Sequence, residues 1–149
     1  MRKRKVLVVE DQKLNRAVLK EILESEYDVL YAVNGKEALD IMNREGRHLS
    51  LVLLDIVMPV MDGYEVLKVM ERRKLLEHIP VLVASQHFGD DSELQALLLG
   101  AGDYVSKPYN PAVLKRRIKN QIRMHEALMQ VTVLEKDPVT GLYNKASFN

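Results

Sequence analysis

An α/β fold built on a parallel sheet is predicted by three observations. Apolar runs of strand length recur at residues 6–9, 29–33, 51–54, 81–84 and 104–105, helix-like periodicity fills each gap, and the alternation keeps its order along the chain. A pattern of this kind reads as a βα unit repeated five times around one five-stranded parallel sheet.

The first helix carries Leu14, Val18 and Ile22 at i, i+4 and i+8, and the fourth carries Leu94, Leu97, Leu98 and Ala101; both stripes are expected to pack into the core. Helix starts are marked by Asn34 with Glu37 and by Asp62 with Glu65. Each pair has capping-box spacing, in which the cap side chain accepts from a backbone N–H and the acid returns a bond to the cap. Gly102, just past the fourth stripe, suits the left-handed residue that ends a helix. Asn110-Pro111 opens the last helix, with Asn as cap and Pro at the first helical position, where its missing N–H costs nothing. Val113, Leu114 and Ile118 are expected to face the sheet. The periodicity then continues through Met124, Ala127, Val131 and Leu134, spaced three and four apart as in a heptad seam, so the last helix is extended and offers a surface for a second copy.

With 149 residues, no Cys and no Trp, the chain suffices for one globular domain plus an extension, and disulfides are excluded. The lack of cysteine is compatible with a cytoplasmic location without requiring it. Met1-Arg2-Lys3-Arg4-Lys5 resembles the charged head of an export signal, but the apolar stretch behind it ends at Val9, so neither a signal peptide nor a membrane span is expected. A formal charge of +1 gives no global attraction to nucleic acid or anionic lipid. Residues 115–123 hold five basic residues and no acid, yet no recognition fold or aromatic platform accompanies them, so they read as a solvated helix face.

The polar residues that close the strands carry the chemistry. Asp55 ends the run at 51–54, while Glu10 and Asp11 end the run at 6–9. If those strands are parallel neighbours, three carboxylates meet at the carboxyl edge of one sheet, where open α/β folds bind their ligands. Ionised carboxylates at such a place are costly unless compensated, and the cluster calls for a hard divalent cation, magnesium foremost and manganese as the alternative. Ser85 follows the fourth run and Lys107 the fifth, at the same edge. A hydroxyl and an ammonium around a metal-bound carboxylate suit an incoming phosphoryl group: metal and Lys neutralise its charge, Ser donates to an oxygen, and Asp55 attacks.

Glu10-Asp11, the strand end Leu53-Leu54-Asp55 with Met58-Pro59 and Asp62-Gly63, Ser85, and Tyr104-Val105-Ser106-Lys107-Pro108 together resemble the CheY-like receiver domain of two-component response regulators, over residues 5–122. The resemblance implies a flavodoxin-like, doubly wound fold with strand order 2-1-3-4-5. It implies that Asp55 takes a phosphoryl group from a sensor histidine kinase or phosphotransfer protein, that Asp11 and Asp55 bind Mg2+ directly, that Glu10 helps through water, and that the Val57 carbonyl supplies a further oxygen. Ser85 and Lys107 would hold the phosphoryl group. Ser85 and Tyr104 would act as the switch, altering the face built by the fourth helix, fifth strand and fifth helix, through which a homodimer could form. The Lys107-Pro108 peptide is expected to be cis, and the module itself is not an enzyme.

Glu10 stands where many members of that family have Asp, which sets its carboxylate one methylene further out. Gln86 replaces a usually small residue and is expected to crowd the entrance to the phosphoryl site. His87 and Val57 occupy positions that in the family influence how quickly water removes the phosphoryl group. Residues 137–145, Asp-Pro-Val-Thr-Gly-Leu-Tyr-Asn-Lys, are similar to the opening signature of diguanylate cyclase catalytic domains, Asp-x-Leu-Thr-Gly-Leu-x-Asn-Arg. The catalytic Gly-Gly-Asp/Glu-Glu-Phe loop is absent, so this chain is not that enzyme. The expected organisation is a receiver at 1–122, a helical linker at 123–136 continuing the last helix, and the start of a cyclic di-GMP output domain at 137–149. Two readings compete: a pseudo-receiver serving as a fixed dimerisation adaptor, and an Asp-nucleophile phosphatase. Phosphatases resembling the haloacid dehalogenases carry a second Asp two residues past the nucleophile, and here that place is Val57.

Overall fold

The computed structural model describes residues 3–86 and 90–135. The expectations placed on His87, on residues 137–145 and on the side chains of Val131 and Leu134 lie outside the described residues. Five strands, β1 (Arg4–Val9), β2 (Tyr27–Ala32), β3 (Leu49–Asp55), β4 (Val81–Ser85) and β5 (Asp103–Ser106), form one parallel sheet in the order β2-β1-β3-β4-β5. They alternate with α1 (Lys13–Leu23), α2 (Gly35–Glu45), α3 (Gly63–Arg72), α4 (Asp90–Leu98) and α5 (Pro111–Glu135). This is the flavodoxin-like topology expected from the sequence.

Both faces of the sheet are covered, which is why its strands are nearly continuous apolar runs. Alternate residues serve opposite cores: Leu7, Val9, Val52, Leu54, Val81 and Val83 face α2, α3 and α4, while Val6, Val8, Leu51, Leu53, Leu82 and Val105 face α1 and α5. The second strand begins at Tyr27, two residues before its apolar run, because Tyr27 and Asp28 pair with Arg4 and Lys5.

Three expectations about helix faces are corrected. In α1, Leu14 is 75% and Val18 41% exposed, and the core is filled by Leu19, Ile22 and Leu23. A four-residue step overshoots one helical turn by about 40°, so an i, i+4, i+8 row winds off the buried face. In α4, Leu94, Leu97 and Leu98 point to solvent and Ala96 packs in the core, while Ala101, just past the helix end, is buried as expected. Val113 is likewise exposed, whereas Leu114, Ile118 and Ile122 seat α5 on the sheet. The glycine with left-handed backbone after α4 is Gly100 (φ 110°), not Gly102, which lies against Gln121 of α5.

Capping follows the sequence signals. Asp62 and Glu65 form the full box, with Glu65 N–H to Asp62 Oδ1 at 2.9 Å and Asp62 N–H to Glu65 Oε1 at 3.0 Å. Asn34 accepts from Glu37 N–H at 2.8 Å, but the Glu37 carboxylate accepts from Val33 rather than from the cap itself. Asn110 caps α5 through Val113 N–H at 3.2 Å.

The start of α3 is pressed against the end of β3. Gly63 N–H donates to the Ile56 carbonyl at 2.8 Å, and a Cβ at Gly63 would lie 2.6 Å from the Asp55 carbonyl oxygen. Gly63→Ala therefore has no rotamer to escape into, and urea unfolding should show a loss of about 1–3 kcal/mol. In the same loop Val60 holds φ 72°, with Met61 N–H bonded to the Pro59 carbonyl across it at 2.8 Å. This is the strained form of the γ-turn, unfavourable for a β-branched residue. Val60→Gly should raise the urea midpoint, with an unfolding free energy higher by about 1 kcal/mol after the greater freedom of the unfolded glycine is subtracted.

Candidate functional site

Parallel pairing brings the strand ends into line. Val9 pairs with Ala32 on one side and Leu54 on the other, Asp55 pairs with Ala84, and Ser85 pairs with Ser106. Backbone bonds carry the ladder one step further, from Glu10 N–H to Ala32, from Ile56 N–H to Ala84 and from Lys107 N–H to Ser85. Glu10, Asp55, Ser85 and Lys107, at the ends of β1, β3, β4 and β5, are thereby fixed at a common edge.

Glu10, Asp11 and Asp55 each place a carboxylate oxygen within 4.8 Å of the others. Glu10 is 1% and Asp55 4% exposed, whereas Asp11 is half-buried and lines the adjoining cleft. Lys107 Nζ lies 2.9 Å from Glu10 Oε1 and 2.9 Å from Asp55 Oδ2. Apart from this ion pair, Glu10 Oε1 has no hydrogen-bond partner among the described residues, while Oε2 accepts from Gln12 N–H at 3.0 Å. The extra methylene of Glu10 lets one carboxylate reach both the loop backbone and the lysine.

Burial pushes the Asp55 carboxyl up to about 6, against the Lys107 contact that lowers it; the Glu10 charge adds to the rise, and the Val57 N–H opposes it. Burial lowers Lys107, but bonds to Glu10 and Asp55 outweigh it and leave the ammonium above its ordinary value. The edge is thus under-neutralised: three carboxylates face one close ammonium. Among the described residues the cluster offers carboxylate oxygens, which fit a hard divalent cation.

Asp11, Gln12, Leu14, Asn15, Asp55, Val57, Gln86 and Lys107 line an open cleft of about 270 Å3. Gln86 is one of its lining residues. Ser85 closes β4 one strand from Asp55 but does not line the cleft. Tyr104 also lies away from it: its ring packs on the core facing α3 and α4, with the Arg117 guanidinium 5.4 Å from the ring centre. The Lys107-Pro108 peptide is cis. A larger cleft of about 430 Å3 at the opposite sheet edge contains Glu26 and Glu126, which are already paired with Lys115 and Arg4, and among the described residues it gathers no cluster of three acids.

Residues 6–119 match the response regulator receiver domain family. The chain belongs to that family. As a receiver it is 38% identical over 128 residues, 83% of this chain, to a probable transcriptional regulator ycf27 of Porphyridium aerugineum. It is 33% identical over 139 residues, 93% of this chain, to the alkaline phosphatase synthesis regulator PhoP of Bacillus subtilis. The chain spans about half the length of these relatives, 50% and 56% respectively. The receiver domain of a putative LuxO repressor protein from Vibrio parahaemolyticus superposes with a TM-score of 0.80 at 25% identity, covering 87% of this chain and 97% of that one.

Two residues beside the receiver's acids were not singled out from sequence. Arg16, on α1, donates to the Glu10 and Asp11 carbonyls. Tyr109, just past the cis peptide, is raised well above an ordinary phenol by burial and by the charges of Glu10 and Asp55. An aromatic two residues beyond Lys107 was the available signal for the second.

The raised Asp55 value fixes the sign of a pH effect. Below about pH 4 the carboxyl is protonated folded and unfolded, so it carries no penalty; as pH rises through 6 it ionises in the buried site and stability is lost. Two pKa units correspond to about 3 kcal/mol, reduced to about 1–2 by solvent in the open cleft. Metal-free Asp55→Asn should therefore be more stable than wild type by that amount at pH 7.5, and by little at pH 4, in paired denaturant titrations.

Proposed function

We propose that this receiver takes a phosphoryl group on Asp55 from a sensor histidine kinase or phosphotransfer protein and relays the event through α4, β5 and α5. The carrying observation is the convergence of Glu10, Asp11 and Asp55 within 4.8 Å, with Lys107 2.9 Å from two of them. Asp11, Asp55 and the Val57 carbonyl would hold Mg2+, or Mn2+ in its place, with Glu10 assisting through water. Such an ion supplies charge neutralisation for the carboxylates and the transferring phosphoryl oxygens. An Asp55 oxygen attacks phosphorus as the phosphorus–nitrogen bond of phosphohistidine breaks. Lys107 pairs with a phosphoryl oxygen, and Ser85 donates to another. The new dianionic group then biases a bistable surface, with Ser85 and Tyr104 as the moving parts. A yeast relative, the Ssk1 receiver solved in complex with the phosphotransfer protein Ypd1, is 28% identical with a TM-score of 0.75, covering 83% of this chain and 91% of that one, which supports this class of donor.

The output proposed is cyclic di-GMP synthesis. Residues 137–145 carry the cyclase-like signature, and a solved probable response regulator/GGDEF domain protein is 25% identical with a TM-score of 0.76 over 82% of this chain and 50% of that one. This gives a receiver at 1–122, a linker at 123–136 and the beginning of an output domain at 137–149. Exposed Leu94, Leu97 and Leu98 on α4, or Met124 and Leu128 along α5, offer apolar surface for a homodimer.

Acetyl phosphate with Mg2+ should add one phosphoryl group to the wild type, read by intact mass, and none to Asp55→Asn or in excess EDTA. A wild type that stays unmodified, with histidine kinase and ATP also supplied, would leave the pseudo-receiver alternative, which the Gln86 side chain at the cleft favours.

A further inference from the structure

The acids at the carboxyl edge hang from a short loop that has few restraints of its own. Gln12, at the N-cap of α1, makes no side-chain cap bond, and the first turn of α1 contains no acid. Three carboxylate oxygens within 4.8 Å repel one another, which drives Glu10 and Asp11 away from Asp55. Lys107 restrains Glu10 directly, but no cation is paired with the Asp11 carboxylate among the described residues.

Arg16 supplies the missing restraint from behind. It closes the first turn of α1, and helical side chains lean toward the helix start, so its guanidinium returns to the loop. One nitrogen, Nη1, donates to the Glu10 carbonyl at 2.8 Å and to the Asp11 carbonyl at 3.0 Å. Binding two successive carbonyls to one group fixes both peptide planes, and with them the directions in which both side chains leave the backbone. Arg16 is half-buried and is not among the residues lining the cleft, and its Nη1 bonds go to backbone carbonyls.

We infer that Arg16 is a positioning residue for the divalent cation site, holding the Glu10-Asp11 backbone so that both carboxylates stay directed at Asp55. This rests on the phosphoacceptor reading above. Two roles for Arg16 predict opposite signs. As a mere positive charge near the site it repels a cation, and its removal tightens Mg2+ binding. As a positioning residue its removal weakens binding.

Isothermal titration of the full chain with MgCl2 decides between them. Arg16→Ala and Arg16→Gln should bind Mg2+ about 10–100-fold more weakly than wild type, the range typical of lost outer-shell partners. Arg16→Lys keeps a donor that can reach the carbonyls and should lose less than either. Metal-free melting curves run alongside: a purely structural arginine lowers the melting temperature and leaves the Mg2+ affinity of the folded protein unchanged. Unchanged or tighter binding in Arg16→Gln overturns the inference, as does an Arg16→Lys that binds no better than Arg16→Gln. Should Arg16→Ala not fold, the Gln and Lys variants make the same comparison. A wild type that binds no Mg2+ and takes up no phosphoryl group brings down the site reading itself, whereas normal wild-type behaviour with an unaffected Arg16→Gln brings down only the role of Arg16.

Discussion

The Lys107 ammonium is the counterion on which the carboxyl edge depends. Glu10 and Asp55 are almost fully buried, and two such carboxylates could not both ionise without a cation in contact. Lys107 reaches both at 2.9 Å because the sheet order sets β3, β4 and β5 side by side and the Lys107 N–H continues the ladder onto the Ser85 carbonyl. The arrangement leaves net negative charge. A buried pair plus one further acid at the mouth of an open cleft is poised for a cation, and a site optimised for stability alone would have carried apolar residues instead.

This logic was legible in the sequence because parallel strands buried on both faces read as unbroken apolar runs, against which Asp55, Ser85 and Lys107 stand out. Strand order needed the family resemblance, since five similar βα units can be arranged in several ways. Periodicity failed where it was asked for more than it holds. It groups Leu94, Leu97 and Leu98 on one side of α4, but whether anything covers that side depends on where the helix sits over the sheet, and the contact is made by Ala96 instead. Leu14 and Val18 differ in cause, since a row of four-residue steps winds away from the face on which Ile22 is buried. The glycine ending α4 was misassigned by two residues because both Gly100 and Gly102 satisfy the sequence rule, and only backbone geometry separates them.

Arg16 was hidden for a different reason. An arginine on a helix flanked by Asn15 and Ala17 reads as a solvated side chain, and its acceptors are main-chain carbonyls, which leave no mark in a sequence. The general point is that side chains serving backbone are the hardest functional parts to read in advance. Gln12 is a milder case, since the group it contributes to Glu10 is its own N–H.

The same dependence on backbone acceptors governs how the edge is tied to α5. Arg117 bonds the Tyr104 carbonyl at 2.6 Å and Asp103 Oδ1 at 3.1 Å while its guanidinium covers the Tyr104 ring, so β5 and α5 share one clamp. At the far end of β1, Arg4 grips Glu126 with two bonds, 2.7 and 2.9 Å long. That pair is exposed, and exposed pairs contribute little to stability. Its two parallel bonds are directional, however, and directionality is what an extended helix requires once Leu114, Ile118 and Ile122 have fixed its first turns on the sheet. Arg117 thus ties α5 to β5 near the start of the helix, and Glu126 ties it to β1 further along. An exposed ion pair of small energetic worth therefore still fixes the position of α5 relative to the start of β1.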